Sequence, residues 1–304
     1  MSIAELILLY LEALEKERNL SQNTVRGYRN DLGFFAEWLK KQKITQSSEL
    51  EELSHATIRA FWAERRANGL SAQSMRRGQS ALRGLMKFAM RRHEICANPA
   101  ASMDSPRRQR PLPKALSQED VNLLLNSPDQ TTLLGMRDRA ILETLYGSGL
   151  RVSELASLWH SCIDFDNRIV RVTGKGEKER LIPLTPASCE AIKIYLSARN
   201  AQHPESKSEP AVFLNHLGTP LSTRSIARLI EKYARQLAMM MNITPHQFRH
   251  SFATHMLNNG ADIRAVQEML GHSNLATTQI YTRISKERLM QTYRLSHPRS
   301  GDKQ

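Results

Sequence analysis

Cysteine is scarce in this chain: Cys96, Cys162 and Cys189 are the only three in 304 residues, set far apart with no C-x-x-C pair. That argues against a disulfide scaffold and a cysteine-built zinc site, and fits a reducing cytoplasm. Long apolar runs are missing as well. The longest near the start, 3–14, is broken by Glu5 and Glu12 and has neither a basic flank nor a small-residue cleavage site. No signal peptide, membrane span or membrane insertion is expected. Internal repeats and low-complexity tracts are absent. Acidic residues are outnumbered, 30 Asp and Glu against 43 Lys and Arg, for a formal net charge of +13. What is present is 40% hydrophobic residues, enough to bury a sizeable core, in a length that suits about two domains. The surplus of cations points to a polyanionic partner, because Lys and Arg release counterions when they neutralise phosphates; a merely solvated basic surface is the competing reading.

The surplus is +4 in residues 1–106, +4 within the eight residues 107–114, and +5 in residues 115–304. Residues 107–114 combine four cations with Pro111 and Pro113 and lack hydrophobic periodicity, so they read as a semi-rigid basic linker between two domains. Before it, apolar residues recur at three- and four-residue steps, predicting a four-helix bundle with helices over Ile3–Lys16, Asn23–Lys41, Thr57–Ala67 and Ala72–Arg92. Ser21 and Ser71 are candidate N-caps, the latter after a stop at Gly69. From Arg65 to Arg92 there are eight cations and no acid, predicting one face for packing and another presenting only positive charge.

After the linker, Ser117 followed by Asp120 resembles a capping box. A helix over Met136–Tyr146 is expected to end in a flexible Gly147-Ser148-Gly149 turn that delivers Arg151 and Glu154 into the next helix. The period then changes to two over Ile163–Phe165, Arg168–Val172 and Arg180–Leu184, which predicts a small antiparallel sheet. Beyond Thr185 the pattern is helical apart from Val212–Leu214, with Thr185-Pro186 and Thr244-Pro245 as cap-plus-first-residue starts and Asn259-Gly260 as a stop. The expected fold class is therefore mainly α (α+β). Leu289, Met290 and Tyr293 form an apolar face on a last helix with no later element to cover it, predicting that it docks on a neighbouring subunit.

One stretch carries chemistry. Thr244-Pro245-His246-Gln247-Phe248-Arg249-His250 begins a helix, where free backbone N–H groups and the dipole favour an anion, and His246 and Arg249 are spaced to share its first turn. His246 and His250 also have the spacing of a zinc-binding helix, but Gln247 stands where that site needs a glutamate base. An ordinary helix cap and an ordinary salt bridge would explain the same residues. Most of the other tyrosines sit on apolar helical faces that suit core packing, whereas Tyr281 lies in the polar run Thr277-Thr278-Gln279-Ile280-Tyr281-Thr282.

Together, Arg151, Lys175, His246, Arg249, His272 and Tyr281 fall in an order and spacing that resembles the tyrosine recombinase (phage integrase) family. The frames Gly149-Leu150-Arg151-Val152-Ser153-Glu154-Leu155, Gly174-Lys175-Gly176-Glu177-Lys178-Glu179-Arg180 and Arg249-His250-Ser251-Phe252-Ala253-Thr254-His255 are similar to its signature segments. Phe248 departs from the usual Leu, apolar for apolar. Length and the ending His297-Pro298-Arg299 look most similar to the bacterial Xer recombinases. The resemblance implies a helical core-DNA-binding domain in 1–106, the linker in 107–114 and a catalytic domain in 115–304. It also implies Tyr281 as nucleophile, Arg151 and Arg249 on the phosphate, and Lys175, rather than Lys178, as general acid. His246 and His272 would act as hydrogen-bonding and proton-transfer groups, with Glu154 orienting Arg151. No metal or cofactor is implied. The implied partners are double-stranded DNA with a specific recombination site, a tetramer formed alone or with a paralogous recombinase, and an activating DNA-motor protein. A phage or transposon integrase, a strand-swivelling topoisomerase and a DNA-binding relative that has lost catalysis remain as alternatives.

Overall fold

The computed structural model describes residues 1–16, 22–44, 46, 49–50, 53–101, 103, 115–174, 179–203, 209–239, 243–271 and 283–301. The predicted linker 107–114 and the candidate cap Ser21 lie outside them. The chain divides into two compact units, Met1–Gln109 and Arg110–Gln304.

The first unit is built from α1 (Ile3–Lys16), α2 (Gln22–Lys41), α3 (His55–Ala67) and α4 (Ala72–Arg91). On α1, Ile3, Leu6, Ile7, Tyr10, Leu11 and Leu14 repeat at helical spacing and are all buried. Phe35, Trp38, Phe61 and Trp62 form a connected aromatic cluster with ring centroids 4.8–6.2 Å apart. Truncating such a buried ring costs about 3–5 kcal/mol, so Phe61 is a single position on which this bundle depends. Ser54 and Ser71 cap α3 and α4 by accepting from the backbone N–H groups of Thr57 and Ser74.

The second unit wraps around α6 (Leu133–Ser148), whose residues from Ala140 onward are buried on every side. A helix buried all round loses its polar stripe, which is why its ends are hard to read from periodicity. α5 (Gln118–Asn126) precedes it, capped by Ser117. α7 (Val152–Ala156) follows, then a three-stranded antiparallel sheet of β1 (Ile163–Asp164), β2 (Ile169–Thr173) and β3 (Glu179–Pro183) in that order. β2 pairs with β3 through Val170 opposite Ile182 and Val172 opposite Arg180. α8 (Pro186–Gln202), α9 (Thr223–Gln236), α10 (Pro245–Asn258), α11 (Ile263–Leu270) and α12 (Arg283–Ser296) complete it. Thr185 and Thr244 occupy the cap positions, each with proline next. Val212–Leu214 adds no strand to this sheet; Ala211 and Leu214 make isolated bridges to Trp159 and Pro220.

Two expectations need correcting. α6 runs through Gly147 and Ser148, and only Gly149 leaves the helix, with φ +62°. This turn is packed: a Cβ on Gly149 would fall 2.5 Å from the Phe252 ring, and one on Gly147 would fall 2.4 Å from Ser188 Oγ. Likewise α12 is covered by its own unit. Leu289 and Tyr293 join Phe252, Met256, Val266 and Met269 in one buried cluster, and the Tyr293 hydroxyl donates to the Gly147 carbonyl. No helix among the described residues is long and apolar enough to cross a membrane.

Candidate active site

Arg151 occupies the N-cap of α7, and Glu154, three residues on, reaches back to accept from the Arg151 backbone N–H at 2.8 Å, the acidic half of a capping box. Local sequence therefore puts both side chains at the same helix start. Arg151 Nη1 donates to Glu154 Oε1 at 2.8 Å, and Arg180 from β3 forks onto both Glu154 oxygens at 2.9 Å. Burial alone would raise the Glu154 carboxyl, but hydrogen bonds from Arg180 and Arg151 outweigh it and hold the group below its ordinary value. Glu154 is thus an anion shared by two cations.

Arg249 reaches the same place from α10. Its Nη1 donates to the Gly149 carbonyl at 2.7 Å and its Nη2 to the Leu270 carbonyl. Burial, then the positive charge of Arg151, pushes its guanidinium down to about 10, which still leaves it a cation at neutral pH. Three consecutive carbonyls at the end of α11 accept from three arginines on three elements. Met269 O takes Arg180 Nε at 3.0 Å, Leu270 O takes Arg249, and Gly271 O takes Arg151 Nη2 at 2.9 Å. A helix C-terminus carries unpaired carbonyls and partial negative charge, so it is a natural resting partner for groups that bind anions. Arg151 is the open one of the three: its side chain is 40% exposed, against 6% for Arg180.

The predicted residues are placed as follows. Arg151 and Arg249 converge on the end of α11. His246 is exposed on the first turn of α10, while Arg249 on the next turn is buried. The cap there is made by Thr244 and Gln247, whose Oε1 accepts from the Thr244 N–H at 2.9 Å, so His246 does not cap the helix and Gln247 is engaged. Phe248 fills the core. Lys175, Lys178, His272 and Tyr281 lie outside the described residues. Gly271, directly before His272, takes the left-handed conformation at φ +63° that ends α11.

Structural roles account for the neighbouring candidates. The His255 Nε2–H donates to the Leu116 carbonyl at 2.9 Å, leaving Nδ1 to accept from the Tyr146 hydroxyl at 2.8 Å. Tyr10, Tyr146, Tyr195, Tyr233 and Tyr293 are buried and Tyr28 packs against the first core. Burial raises the hydroxyl pKa of Tyr146, Tyr195, Tyr233 and Tyr293. Arg180 is named in the sequence only as a strand residue and the last position of a signature-like frame, with no role of its own. A signal existed, since it shares the inward face of β3 with Ile182, where a cation needs a buried partner.

In the first unit the cationic face of α4 is partly spent internally. Arg77 forks onto Asp31 of α2 at 2.7 and 3.0 Å, and Arg83 donates to the Met103 carbonyl at 3.1 Å. Arg66, Lys87, Arg91 and Arg92 remain exposed.

Residues 114–288 match the model of the phage integrase family, and residues 7–93 match that of the phage integrase N-terminal SAM-like domain. Tyrosine recombinase XerC of Myxococcus xanthus is 42% identical over 303 residues, covering 98% of this chain and 99% of that protein. Tyrosine recombinase XerD of Staphylococcus saprophyticus is 39% identical over 291 residues, covering 96% and 98%. Among solved structures, the XerH site-specific recombinase bound to a palindromic difH substrate in a post-cleavage complex shares the fold, with a TM-score of 0.70 at 23% identity over 93% of this chain and 82% of that one. Since the family match alone spans more than half of its length, and relatives align along nearly all of it, the chain belongs to the phage integrase family, as a tyrosine recombinase of the Xer type.

Proposed function

We propose that this recombinase cuts and rejoins DNA at a specific site through a 3′-phosphotyrosyl intermediate and resolves chromosome dimers for segregation at cell division. The observation that carries the reading is the convergence of Arg151 and Arg249 on adjacent carbonyls, Gly271 and Leu270, one residue before His272. A phosphodiester resists nucleophiles because it is anionic, and its transition state gathers more charge on the non-bridging oxygens. Two guanidiniums that already donate side by side to oxygens can exchange those carbonyls for phosphate oxygens, in a forked geometry that lysine cannot copy.

In this reading Tyr281 attacks phosphorus, the 5′ oxygen leaves with a proton from Lys175, and the phosphate ends on the tyrosine as a 3′ ester. His246 and His272 bond the phosphate and move the phenol proton. The phosphodiester's bond energy is kept in the tyrosyl ester, so a 5′-hydroxyl from a second strand can reverse the step without ATP. Among the seven tyrosines, the packing of the other six supports Tyr281 as the available nucleophile. Residues 1–106 supply core DNA binding and residues 107–114 link them to the catalytic domain in 115–304; the assembly on DNA is a tetramer, formed alone or with a paralogous recombinase, for which a DNA-motor protein is a candidate activator.

The test is a nicked suicide duplex carrying the site recovered from genomic DNA that the purified protein binds. The wild type is expected to form a covalent adduct and Tyr281→Phe none. An adduct that survives the substitution overturns the role of Tyr281.

A further inference from the structure

We propose that Arg180 is a positioning residue for strand cleavage: it ties both oxygens of Glu154 to the Met269 carbonyl, keeping Arg151 aimed at the substrate and the end of α11 docked. The proposal rests on the reading of Arg151 as a phosphate ligand. Arg180 cannot itself meet the DNA, being 6% exposed, with Nη1 and Nη2 on Glu154 and Nε on Met269 O. Three of its five N–H groups are committed, one from each nitrogen, in the planar fork that guanidinium imposes.

The charges explain why a second arginine is needed. Were Glu154 to face Arg151 alone, the two would form a closed ion pair, and the guanidinium would be neutralised and drawn away from an incoming phosphate. With Arg180 holding both oxygens from the buried side, the Arg151 side chain donates one hydrogen bond, from Nη1 to Oε1, and keeps a net cation at its exposed edge. The second hand of Arg180 acts on α11. A Cβ built on Gly271 would stand 3.0 Å from Arg180 Cζ and Nε, so the turn that leads into His272 lies directly on the guanidinium. One side chain therefore sets the approach of Arg151 and the position of Gly271, where α11 ends.

Lysine at 180 keeps the charge but gathers its three donors on one nitrogen, so it cannot present the planar fork that spans both Glu154 oxygens and the Met269 carbonyl. Using the full chain and the same nicked duplex, Arg180→Lys is expected to lower the single-turnover rate of adduct formation at saturating DNA about 30- to 100-fold, the scale of a misplacement near 1 Å. Its dissociation constant for the intact site should stay within about threefold of wild type. Arg180→Met should be at least as slow. Adding Glu154→Gln to it removes the carboxylate that now pulls on Arg151, and is expected to recover the rate about fivefold or more and to restore folding if the single variant fails to fold.

A role confined to stability would instead lower the melting temperature and leave the rate of the folded protein intact. The proposal is overturned if Arg180→Lys cleaves at the wild-type rate, if rate and affinity fall together, or if the double variant is no faster than a folded Arg180→Met. Absence of an adduct with wild type would strike the reading of the site itself, whereas a wild-type adduct matched by Arg180→Lys strikes only the role of Arg180.

Discussion

The two units keep their charges in different places. Among the described residues the first buries Asp31 and Gln79 as its polar groups and leaves Arg66, Lys87, Arg91 and Arg92 on the surface. The second buries ionisable side chains in quantity, among them Glu143, Glu154, Arg180, Arg249 and His297. Exposed cations are screened by salt, act at a distance and add roughly independently, which suits holding a backbone of any sequence. Buried ones are fixed in direction by hydrogen bonds and act strongly over a few ångströms, which suits one anion in one orientation. On the proposed function, the first unit's exposed cations would serve affinity and the second unit's buried ones geometry.

The largest effect should come from the second unit's open guanidinium. Arg151→Lys is expected to slow adduct formation by about 10²- to 10³-fold, the scale of losing one preorganised donor, with affinity for intact DNA within about threefold. Measuring rate and dissociation constant on the same preparation checks the split, and equal losses in both would break the contrast.

Acid should next separate the units. His297 is fully buried, its Nδ1 accepts from the Arg299 N–H at 3.1 Å, and burial holds its ring down to about 3. Because the folded value is depressed below the unfolded one near 6.5, the stability is fully present above about pH 6.5 and drains as pH falls towards 3. Between pH 7 and pH 4 that amounts to roughly 3 kcal/mol. Glu154 works in the same direction, since its lowered carboxyl stabilises the fold until pH drops through its folded value. Urea unfolding of the full chain followed by circular dichroism should show this loss, and His297→Phe should flatten it; an unchanged slope would contradict the assignment.

Smaller effects belong to the first unit. Lys87→Ala with Arg91→Ala should weaken binding to all duplexes alike and reduce the slope of log affinity against log salt by about 2, without changing cleavage at saturation. Arg77→Gln should cost about 1 kcal/mol, because it frees a nearly buried Asp31 while Arg77 itself is 43% exposed and screened. Thermal melts of the full chain resolve a change of that size.

Local signals were legible in the sequence and long-range ones were not. Ser71, Ser117 and Thr185 are read as caps because the hydrogen bond they accept lies three residues away, and at Thr244 the bond to Gln247 Oε1 spans the same distance. The sheet follows from period two around Asp166-Asn167. By contrast, the end of α6 is misread because a helix buried on all sides has no polar face, and the two glycines there serve packing by Ser188 and Phe252, residues 41 and 103 positions further along than Gly147 and Gly149. The covering of α12 and the Arg77–Asp31 pair depend equally on which distant surface arrives. At the site, spacing and residue type single out Arg151 and Arg249; Arg180 is signalled only by a cation on the inward face of β3, and its partners Glu154 and Met269 O appear only once α7 and α11 meet that strand.

The most direct test of the division between affinity and geometry is the salt dependence of both quantities for the wild type. Between 50 and 200 mM salt, affinity for the site should fall steeply, while the single-turnover cleavage rate at saturating DNA should stay within about twofold, because Arg249 is buried and bound DNA would cover the open edge of Arg151, leaving both little screened. A cleavage rate that falls in step with affinity would show the chemistry to rest on exposed charge and would contradict the account.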